Sequence, residues 1–366
     1  MSMYTKPNLT LLAITAILIV FGLFMVTSAG AVISQERFNQ SFFFAKNQIL
    51  KGLLPGLLLA FLFFITPYHY WRRLAPYLFG LGLILLVLVY IPGIGLAYGG
   101  AQRWIHLGTI NFQPSEIFKL FFIIFLAAFF EKAQTEKKSG GKTFIHFLLI
   151  LLIIGILIGG QPDIGTLGIL LITAILIYFL GRAPLKHILI LSTLSILSLL
   201  LFINIFPHTL QRIQVLFNPG LDPKGIGYQM EQSLIALGSG GIFGQGLAQG
   251  KQKFLYLPQA AGDSIAAVIG EELGFIGMLF LMSLFAAFAL YGLKIAKKAP
   301  DDFSRLLSAG IICLITIQAF INIMATIGLI PLTGVPLPFI SYGGTSLAIS
   351  LGMVGILLNI SKYSKS

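Results

Sequence analysis

The chain has 366 residues, of which 57% are hydrophobic and only 10% are charged. Soluble domains carry about a quarter charged residues, so this composition excludes an ordinary soluble protein and indicates an all-α polytopic membrane protein. The net charge of +12 does not indicate nucleic-acid binding, because the positive residues lie in short loops beside apolar segments, where they set topology and contact lipid headgroups. The single cysteine, Cys313, excludes a disulfide within the chain and a cysteine-based metal site.

Apolar stretches of about 20 residues predict ten transmembrane helices in one domain covering residues 1–366. The first is interpreted as a retained span, because its apolar run from Leu9 to about Val26 is longer than a signal-peptide core. The ten predicted spans are about 9–33, 47–66, 74–91, 114–130, 144–160, 164–181, 184–206, 264–293, 305–329 and 339–360.

The positive residues predict the orientation of these spans. Both termini and alternate connections are rich in Lys and Arg, which places them on the cytoplasmic side. The opposite, outer face then carries the loop 92–113, one large connection at about 207–263 and the turn 330–338. In the large connection we predict a short amphipathic helix over 228–237 and a glycine-rich stretch that lies on or re-enters the membrane. A flexible connector is the alternative for that stretch.

Carboxylates in or at the ends of membrane spans are costly and therefore mark candidate sites. Asp263 begins the eighth span close to Lys251 and Lys253, which suggests the mouth of a site. Helix capping is the alternative explanation for Asp263 and is the stronger one for Asp163. The carboxylates selected in this way are Glu116, Asp163, Asp263, Glu271 and Glu272.

Helical spacing separates the roles of these acids. Glu271 and Glu272 lie roughly 80° and 180° around a helix from Asp263, so they do not share its cavity, and at least one is expected to be a structural acceptor between helices. Glu116 and Lys119 are three residues apart and share one helical face. They form either a buried ion pair or a charged cavity wall in which Lys119 meets an anionic ligand.

The outer loop 92–113 contains a further candidate. Arg103 lies beside Trp104 in a glycine-flanked segment, and a guanidinium there suits a phosphate group. The five histidines show no metal-ligand spacing, and no nucleotide-binding motif is present.

Several segments together resemble one family, the SEDS (shape, elongation, division and sporulation) proteins, which are the FtsW/RodA group of peptidoglycan glycosyltransferases. The resemblance runs through nearly the whole chain and is most specific in its last two segments. The matching segments are GAQRWIHLG and INFQPSEIFK within 100–119, QPDIGT at 161–166, DPKGIGYQMEQSLIALGSGGIFGQGL at 222–247, KFLYLPQAAGDSIAAVIGEELGFIG at 253–277 and GLIPLTGVPLPFISYGGTS at 328–346.

The sequence departs from the family pattern at two places. The family's Lys-Gly-Ala-Arg-Arg-Trp has Gly99 and Gln102 at its lysine and first arginine, so only Arg103 can take the arginine role. The family's Pro-Glu-Ala-His-Thr-Asp reads PQAAGD at 258–263. The aspartate remains without its usual acidic, His and Thr neighbours, so no role that rests on those neighbours carries over to this chain, and an altered precursor is one interpretation.

The resemblance implies polymerisation of the lipid-linked precursor lipid II on the outer face of the bacterial cytoplasmic (inner) membrane. Asp263 would then be the base that activates a sugar hydroxyl. Arg103 and Lys119 would neutralise the diphosphate, with Lys251 and Lys253 recruiting substrate. The positions expected from matching segments to contribute to substrate binding are Trp104, Glu116, Gln161, Asp163, Ser341 and Tyr342, whereas Glu271 and Glu272 are interpreted as structural.

The resemblance also implies partners. These are a class B penicillin-binding protein that acts as a transpeptidase, other division proteins and membrane lipids. The loops look more like the cell-division branch, FtsW, than like the elongation branch, RodA. No dedicated metal cluster is visible in the sequence, and a divalent cation, Mg²⁺ or Mn²⁺, would assist the diphosphate with Asp263 or Asp163 as a ligand. A flippase for the lipid-linked precursor and a scaffold for a partner enzyme are the competing interpretations.

Overall fold

The structure, a computed structural model, describes residues 6–98, 101–108, 110–136, 140–205, 207–254 and 256–364. It is a helical bundle with one small sheet. The helices are α1 (Leu9–Phe38), α2 (Phe43–Gln48), α3 (Leu54–Ile65), α4 (His69–Leu88), α5 (Pro114–Thr135), α6 (Gly140–Gly159), α7 (Ile164–Leu180), α8 (Leu185–Ile205), α9 (Pro207–Phe217), α10 (Ile226–Gly240), α11 (Ile265–Lys297), α12 (Asp302–Thr326) and α13 (Gly344–Ser361). The strands are β1 (Gly95–Tyr98), β2 (Ala101–Leu107) and β3 (Ile110–Phe112).

The predicted membrane spans correspond to helices. A π-turn at Ile49–Leu53 joins α2 to α3, and this continuous unit and nine other long helices overlap the ten predicted segments. Among the described residues, seven helices are long and apolar enough to cross a membrane: α1, the α2–α3 unit, α4, α6, α11, α12 and α13. The remaining three are α7 and α8, whose apolar stretches are shorter, and the more charged α5. The number of crossings and the side of the termini stay predictions.

Local chemistry sets several helix ends. The Asn8 side chain accepts a hydrogen bond from Leu11 N at 2.9 Å and so caps α1. Asp301 and Ser304 form a reciprocal capping box at the start of α12. Such caps satisfy the N–H groups that the first helical turn leaves without partners.

The centre of the bundle is built around α13 and α12, whose residues are largely buried. The helix α13 packs closely against α3, while α12 packs against α5, α7 and α11. The helix α8 packs only against its chain neighbours α7 and α9 within the stronger described contacts, and it exposes Leu185, Leu189 and Leu201. Apolar exposure of this kind is expected where a helix faces lipid.

The loop 92–113 folds into a three-stranded antiparallel sheet in the order β1-β2-β3. Trp104 lies opposite Leu96, and Ile105 lies opposite both Gly95 and Phe112. This sheet was not predicted from the sequence, because its strands are only three to seven residues long and glycines interrupt their pattern. The sheet matters because β2 carries Arg103.

The large outer connection contains two helices. The predicted amphipathic segment 228–237 lies within the longer helix α10, which packs against α11. The helix α9, which precedes it, was not predicted. Through these two helices the connection packs against the bundle: α10 contacts α11 and α12, and Arg212 on α9 donates to Leu332 O.

The glycine-rich stretch after α10 packs into a break in α11. At Gly274 the backbone has φ +65°, and an added Cβ would lie 2.3 Å from Gly244 N. The carbonyls of Glu271 and Glu272 accept hydrogen bonds from residues 245 and 246, and the amides of residues 275 and 276 donate to the carbonyls of residues 241 and 242. The loop therefore satisfies the backbone groups that the break frees, which is required inside a membrane. This arrangement favours close packing over a flexible connector.

Candidate active site

Asp263 lies in the turn that leads into α11. The turn is held from two sides: Asn322 Nδ2 donates to Asp263 O at 2.9 Å, and Ser341 Oγ donates to Gly262 O at 2.8 Å. Tyr342 N also donates to Ala261 O at 2.8 Å. Ser341 and Tyr342, which were expected to bind substrate, therefore hold the backbone of the Asp263 turn in this structure.

A polar cavity of about 90 Å³ opens beside Asp263. The Asp263 carboxylate accepts no hydrogen bond within the part of the chain that the structure describes, so it is available to a ligand in this cavity. The cavity is lined by Arg212, Ile226, Gln229, Gln259, Asp263, Asn322, Ala325, Thr326, Leu332, Thr333 and Gly334.

The surroundings of Asp263 raise the pKa of its carboxyl from 3.8 to about 6. Burial is the main cause, and the negative charges of Asp163 and Glu116 add to it. The guanidinium groups of Arg103 and Arg212 act in the opposite direction. Asp263 is therefore a stronger base than an ordinary aspartate, and it still ionises near neutral pH.

Arg103 joins the sheet to the start of α7. Its guanidinium donates to Gln161 O at 3.3 Å and to Pro162 O, and its Nη1 lies 3.5 Å from Asp163 Oδ1. Trp104 is its neighbour on β2, so the two side chains leave opposite faces of the strand. Arg103 thus has a structural role, and its charge still reaches Asp263.

Asp163 and Gln161 are each almost completely buried, at 1% exposure. The Asp163 Oδ1 atom caps α7 by accepting from Thr166 N, as the capping alternative required, and Gln161 Nε2 donates to Leu86 O at 3.1 Å. The other oxygens, Asp163 Oδ2 and Gln161 Oε1, are buried without a hydrogen-bond partner among the described residues. Neither residue lines the cavity beside Asp263.

Arg212 is a functional candidate that was not selected from the sequence. It lies on α9 and lines the cavity with Asp263, and its Nη1 donates to Leu332 O at 2.8 Å. Burial and the nearby Arg103 lower the pKa of the Arg212 guanidinium. A prediction of α9 as an amphipathic helix at the edge of the bundle would have been the signal for this residue.

Lys119 forms a buried ion pair with Glu116, whose Oε1 lies 2.6 Å from its Nζ. The same ammonium group donates to Gln318 Oε1 at 2.7 Å, and Lys119 is only 1% exposed. The structure therefore favours the ion-pair alternative for Lys119 over direct contact with an anionic ligand.

Lys253 was predicted to recruit substrate at the mouth of the site, and the structure corrects this. Its Nζ lies 2.6 Å from Glu272 Oε1 and 3.1 Å from Ser28 Oγ, and the residue is 3% exposed. A buried ammonium with these partners cannot also reach a ligand outside. Lys251, in contrast, is exposed and keeps the recruiting role as a prediction.

Glu271 and Glu272 bind the glycine-rich loop to α11. Glu271 accepts from the amides of Lys251 and Gln252, and Glu272 accepts from the amide of Ala248. Both carboxylates are buried, and both accept hydrogen bonds that join α11 to the glycine-rich loop. This arrangement fits the structural role that was predicted for them.

Metal ligands are sparse in the described ranges. No group of three or more His, Cys, Asp or Glu side chains there lies close enough together to hold a metal ion. The two predicted ligands, Asp163 and Asp263, do not form such a group.

Comparison with known proteins places the chain in a family. Residues 9–366 match the model of the FtsW, RodA and SpoVE family, described as "Cell cycle protein". The stage V sporulation protein E of Bacillus subtilis is 42% identical over 361 residues, covering 99% of this chain and 98% of that protein. A probable peptidoglycan glycosyltransferase FtsW of Trichlorobacter lovleyi is 42% identical, with 97% of this chain and 93% of that protein covered.

Solved structures share the fold. A chain from work described as "Structural coordination of polymerization and crosslinking by a peptidoglycan synthase complex" superposes with a TM-score of 0.79 at 25% identity, covering 98% of both chains. A point mutant of the rod shape determining protein RodA of Thermus thermophilus gives a TM-score of 0.73 at 25% identity, covering 99% of this chain and 100% of that chain.

Proposed function

Because the chain belongs to the FtsW/RodA/SpoVE family of cell cycle proteins, we propose that it is a peptidoglycan glycosyltransferase that polymerises lipid II into β-1,4-linked glycan strands. The single observation that carries the proposal is the Asp263 carboxylate. It lines a polar cavity, accepts no hydrogen bond from the described residues, and has its pKa raised to about 6 by burial.

The reaction needs a base. The 4-hydroxyl of the attacking sugar gives its proton to the Asp263 carboxylate as its oxygen bonds to the anomeric carbon of the second sugar. The bond from that carbon to the diphosphate oxygen breaks, and the electron pair leaves with undecaprenyl diphosphate. Attack opposite the leaving group inverts the anomeric carbon and makes the β link. The proton on Asp263 then passes to water or to the departing diphosphate.

The leaving diphosphate needs positive charge. Arg212 lines the Asp263 cavity, and Arg103 acts on the same carboxylate through its charge. Guanidinium groups match the geometry of phosphate oxygens and remain charged under all physiological conditions. We therefore assign the diphosphate to Arg212 in place of the buried Lys119, and the charge of Arg103 adds to the positive potential at the same site. Exposed Lys251 attracts the anionic substrate to the outer face.

The relatives favour a role in division or sporulation. The relatives named FtsW and stage V sporulation protein E are 36–42% identical to this chain, whereas the RodA structures are 24–25% identical. The protein is a multi-pass membrane protein, and we place it in the cytoplasmic membrane with Asp263 on the outer side. Its partner would be a class B penicillin-binding protein, by analogy with the synthase complex that shares the fold.

The test is polymerisation of purified lipid II by the full chain, alone and with its co-expressed transpeptidase. Asp263→Asn removes the base and keeps the shape, so glycan polymer should fall at least about 1000-fold, which is within the contribution of one catalytic base. The control is Glu36→Gln, which makes the same carboxylate-to-amide change at an exposed position on α1. Wild-type activity in Asp263→Asn would refute the assignment of the base. If folded wild-type protein makes no polymer even with its partner, the proposal that it is a glycosyltransferase would be refuted.

A further inference from the structure

The amide of Asn322 has a fixed orientation beside Asp263. Asn322 lies on α12 and is 3% exposed. Its Nδ2 donates to Asp263 O at 2.9 Å and to Val335 O at 2.8 Å. Both partners are carbonyl oxygens and only accept, so the amide nitrogen must face them. The hydrogen-bond network therefore identifies which end of this amide is Oδ1.

The other end of the same amide has no partner. Asn322 Oδ1 is buried and accepts no hydrogen bond within the described residues, yet Asn322 lines the cavity that contains Asp263. A buried carbonyl oxygen without a donor is costly, and each such group in a native structure calls for an explanation. The location of Asn322 supports one explanation, which is that a ligand in the cavity supplies the missing hydrogen-bond donor.

A second buried asparagine has both ends of its amide paired, unlike Asn322 and Gln161. Asn359 on α13 is 1% exposed, and its Nδ2 donates to Phe64 O at 2.7 Å. Its Oδ1 accepts from Tyr68 N at 3.1 Å, so both ends are paired. Asn359 is far along the chain from the Asp263 turn and does not line the cavity.

We infer that Asn322 Oδ1 accepts a hydrogen bond from the 3-hydroxyl of the attacking sugar while Asp263 takes the proton of the neighbouring 4-hydroxyl. This inference rests on the proposed function. Asn322 Nδ2 donates to the backbone carbonyl of Asp263, and both residues line one cavity, so their two free acceptors suit the two vicinal hydroxyls of a sugar. A cavity of about 90 Å³ admits the edge of one sugar ring.

This contact would make the enzyme specific for an attacking sugar that carries a 3-hydroxyl. A site built to receive a hydroxyl rejects the analogue that lacks it, because the buried acceptor is then left unpaired. The structure thus assigns Asn322 two functions, which are to hold the Asp263 backbone through Nδ2 and to orient the nucleophilic sugar through Oδ1.

The experiment compares natural lipid II with a lipid II whose N-acetylglucosamine lacks the 3-hydroxyl. Both are polymerised by full-length wild type, Asn322→Ala and Asn359→Ala, and kcat/KM is measured for each pair. For wild type, kcat/KM should be about 10- to 100-fold lower with the deoxy substrate than with natural lipid II. With natural lipid II, the kcat/KM of Asn322→Ala should be at least about 10- to 100-fold below that of wild type. The kcat/KM of this variant should fall by less than about threefold more when the analogue replaces natural lipid II, because both changes remove the same hydrogen bond. Asn359→Ala should discriminate as wild type does.

The outcomes separate this inference from the proposed function. If Asn322→Ala discriminates against the deoxy substrate as strongly as wild type, Asn322 only holds the backbone and the substrate contact is refuted. Wild-type protein gives a result that does not depend on the folding of any variant, since equal kcat/KM for both substrates also refutes the contact. Absence of polymer from natural lipid II instead refutes the proposed function.

Discussion

The Lys253 ammonium lies 2.6 Å from Glu272 Oε1, and both side chains are almost completely enclosed between the glycine-rich loop, α11 and α1. The two residues are 19 positions apart in the chain. Their pairing closes a segment of the chain that contains the Asp263 turn and the first turns of α11. This buried pair connects the fold of the outer loop to the position of the base.

Lys253→Met should destabilise the protein by about 3–5 kcal/mol, because Glu272 would be left as an unpaired buried charge. Adding Glu272→Gln should recover much of the loss, since the amide oxygen can still accept from Ala248 N. The measurement is thermal unfolding in detergent. Exposed Lys251→Met is the control and should change the free energy of unfolding by less than about 0.5 kcal/mol. Equal effects of the two lysine changes would contradict the pairing.

Arg212→Met should move the pH profile of polymerisation to higher pH. Wild-type activity should rise as pH increases through about 6, where Asp263 loses its proton and becomes a base. The charge of Arg212 lowers the pKa of Asp263, so its removal raises that pKa and shifts the rising limb upward. The profile of kcat/KM against pH measures the shift. Lys251→Met should leave the midpoint unchanged, and an unchanged midpoint in Arg212→Met would show that the two groups do not interact.

Asp263→Asn should increase stability while it abolishes activity. The pKa of Asp263 rises from 3.8 to about 6 on folding, so the folded state favours the protonated form and is penalised once the carboxyl ionises. The penalty is absent at low pH and grows as pH rises toward and through about 6. Above that pH the variant should gain at most about 3 kcal/mol, from roughly 1.4 kcal/mol per pKa unit.

The comparison of wild type and Asp263→Asn by thermal unfolding at pH 5 and pH 8 tests this sign. The gain should be larger at pH 8 than at pH 5. A variant that is less stable than wild type at pH 8 would mean that the ionised carboxylate is favourably bound in the fold, and not held there at a cost.

Gly274→Ala should disrupt the contact between the glycine-rich loop and α11. The positive φ strains any side chain at this position, and the new Cβ would press on Gly244 N. We expect loss of more than about 2 kcal/mol and increased protease cleavage within 241–250. Gly155→Ala on α6 is the control, because nothing lies within 4 Å of its added Cβ. It should be neutral or stabilise by up to about 1 kcal/mol. Equal protease resistance of the two variants would contradict the role of Gly274.

Some properties of this protein follow from local sequence. Long apolar segments predict membrane helices because the bilayer selects for length and hydrophobicity, and helices form at each of the ten predicted places. Asp263 could be selected because a carboxylate at a membrane boundary is costly and rare. The angular separation of Glu271 and Glu272 from Asp263 also follows from helix geometry alone.

Other properties depend on contacts between distant segments. The buried position of Lys253 arises from Ser28 and Glu272, and the loss of Lys119 as a free cation arises from Gln318 on another helix. Arg212 reaches the cavity because α9 folds back over the bundle, and Asn322 becomes a candidate only once its amide is seen bonded to Asp263 O. The sequence determines which charged and polar side chains this protein has. Long-range packing determines which of those side chains are buried, which groups they pair with and in which direction they point. It therefore decides which charged groups remain available to a substrate.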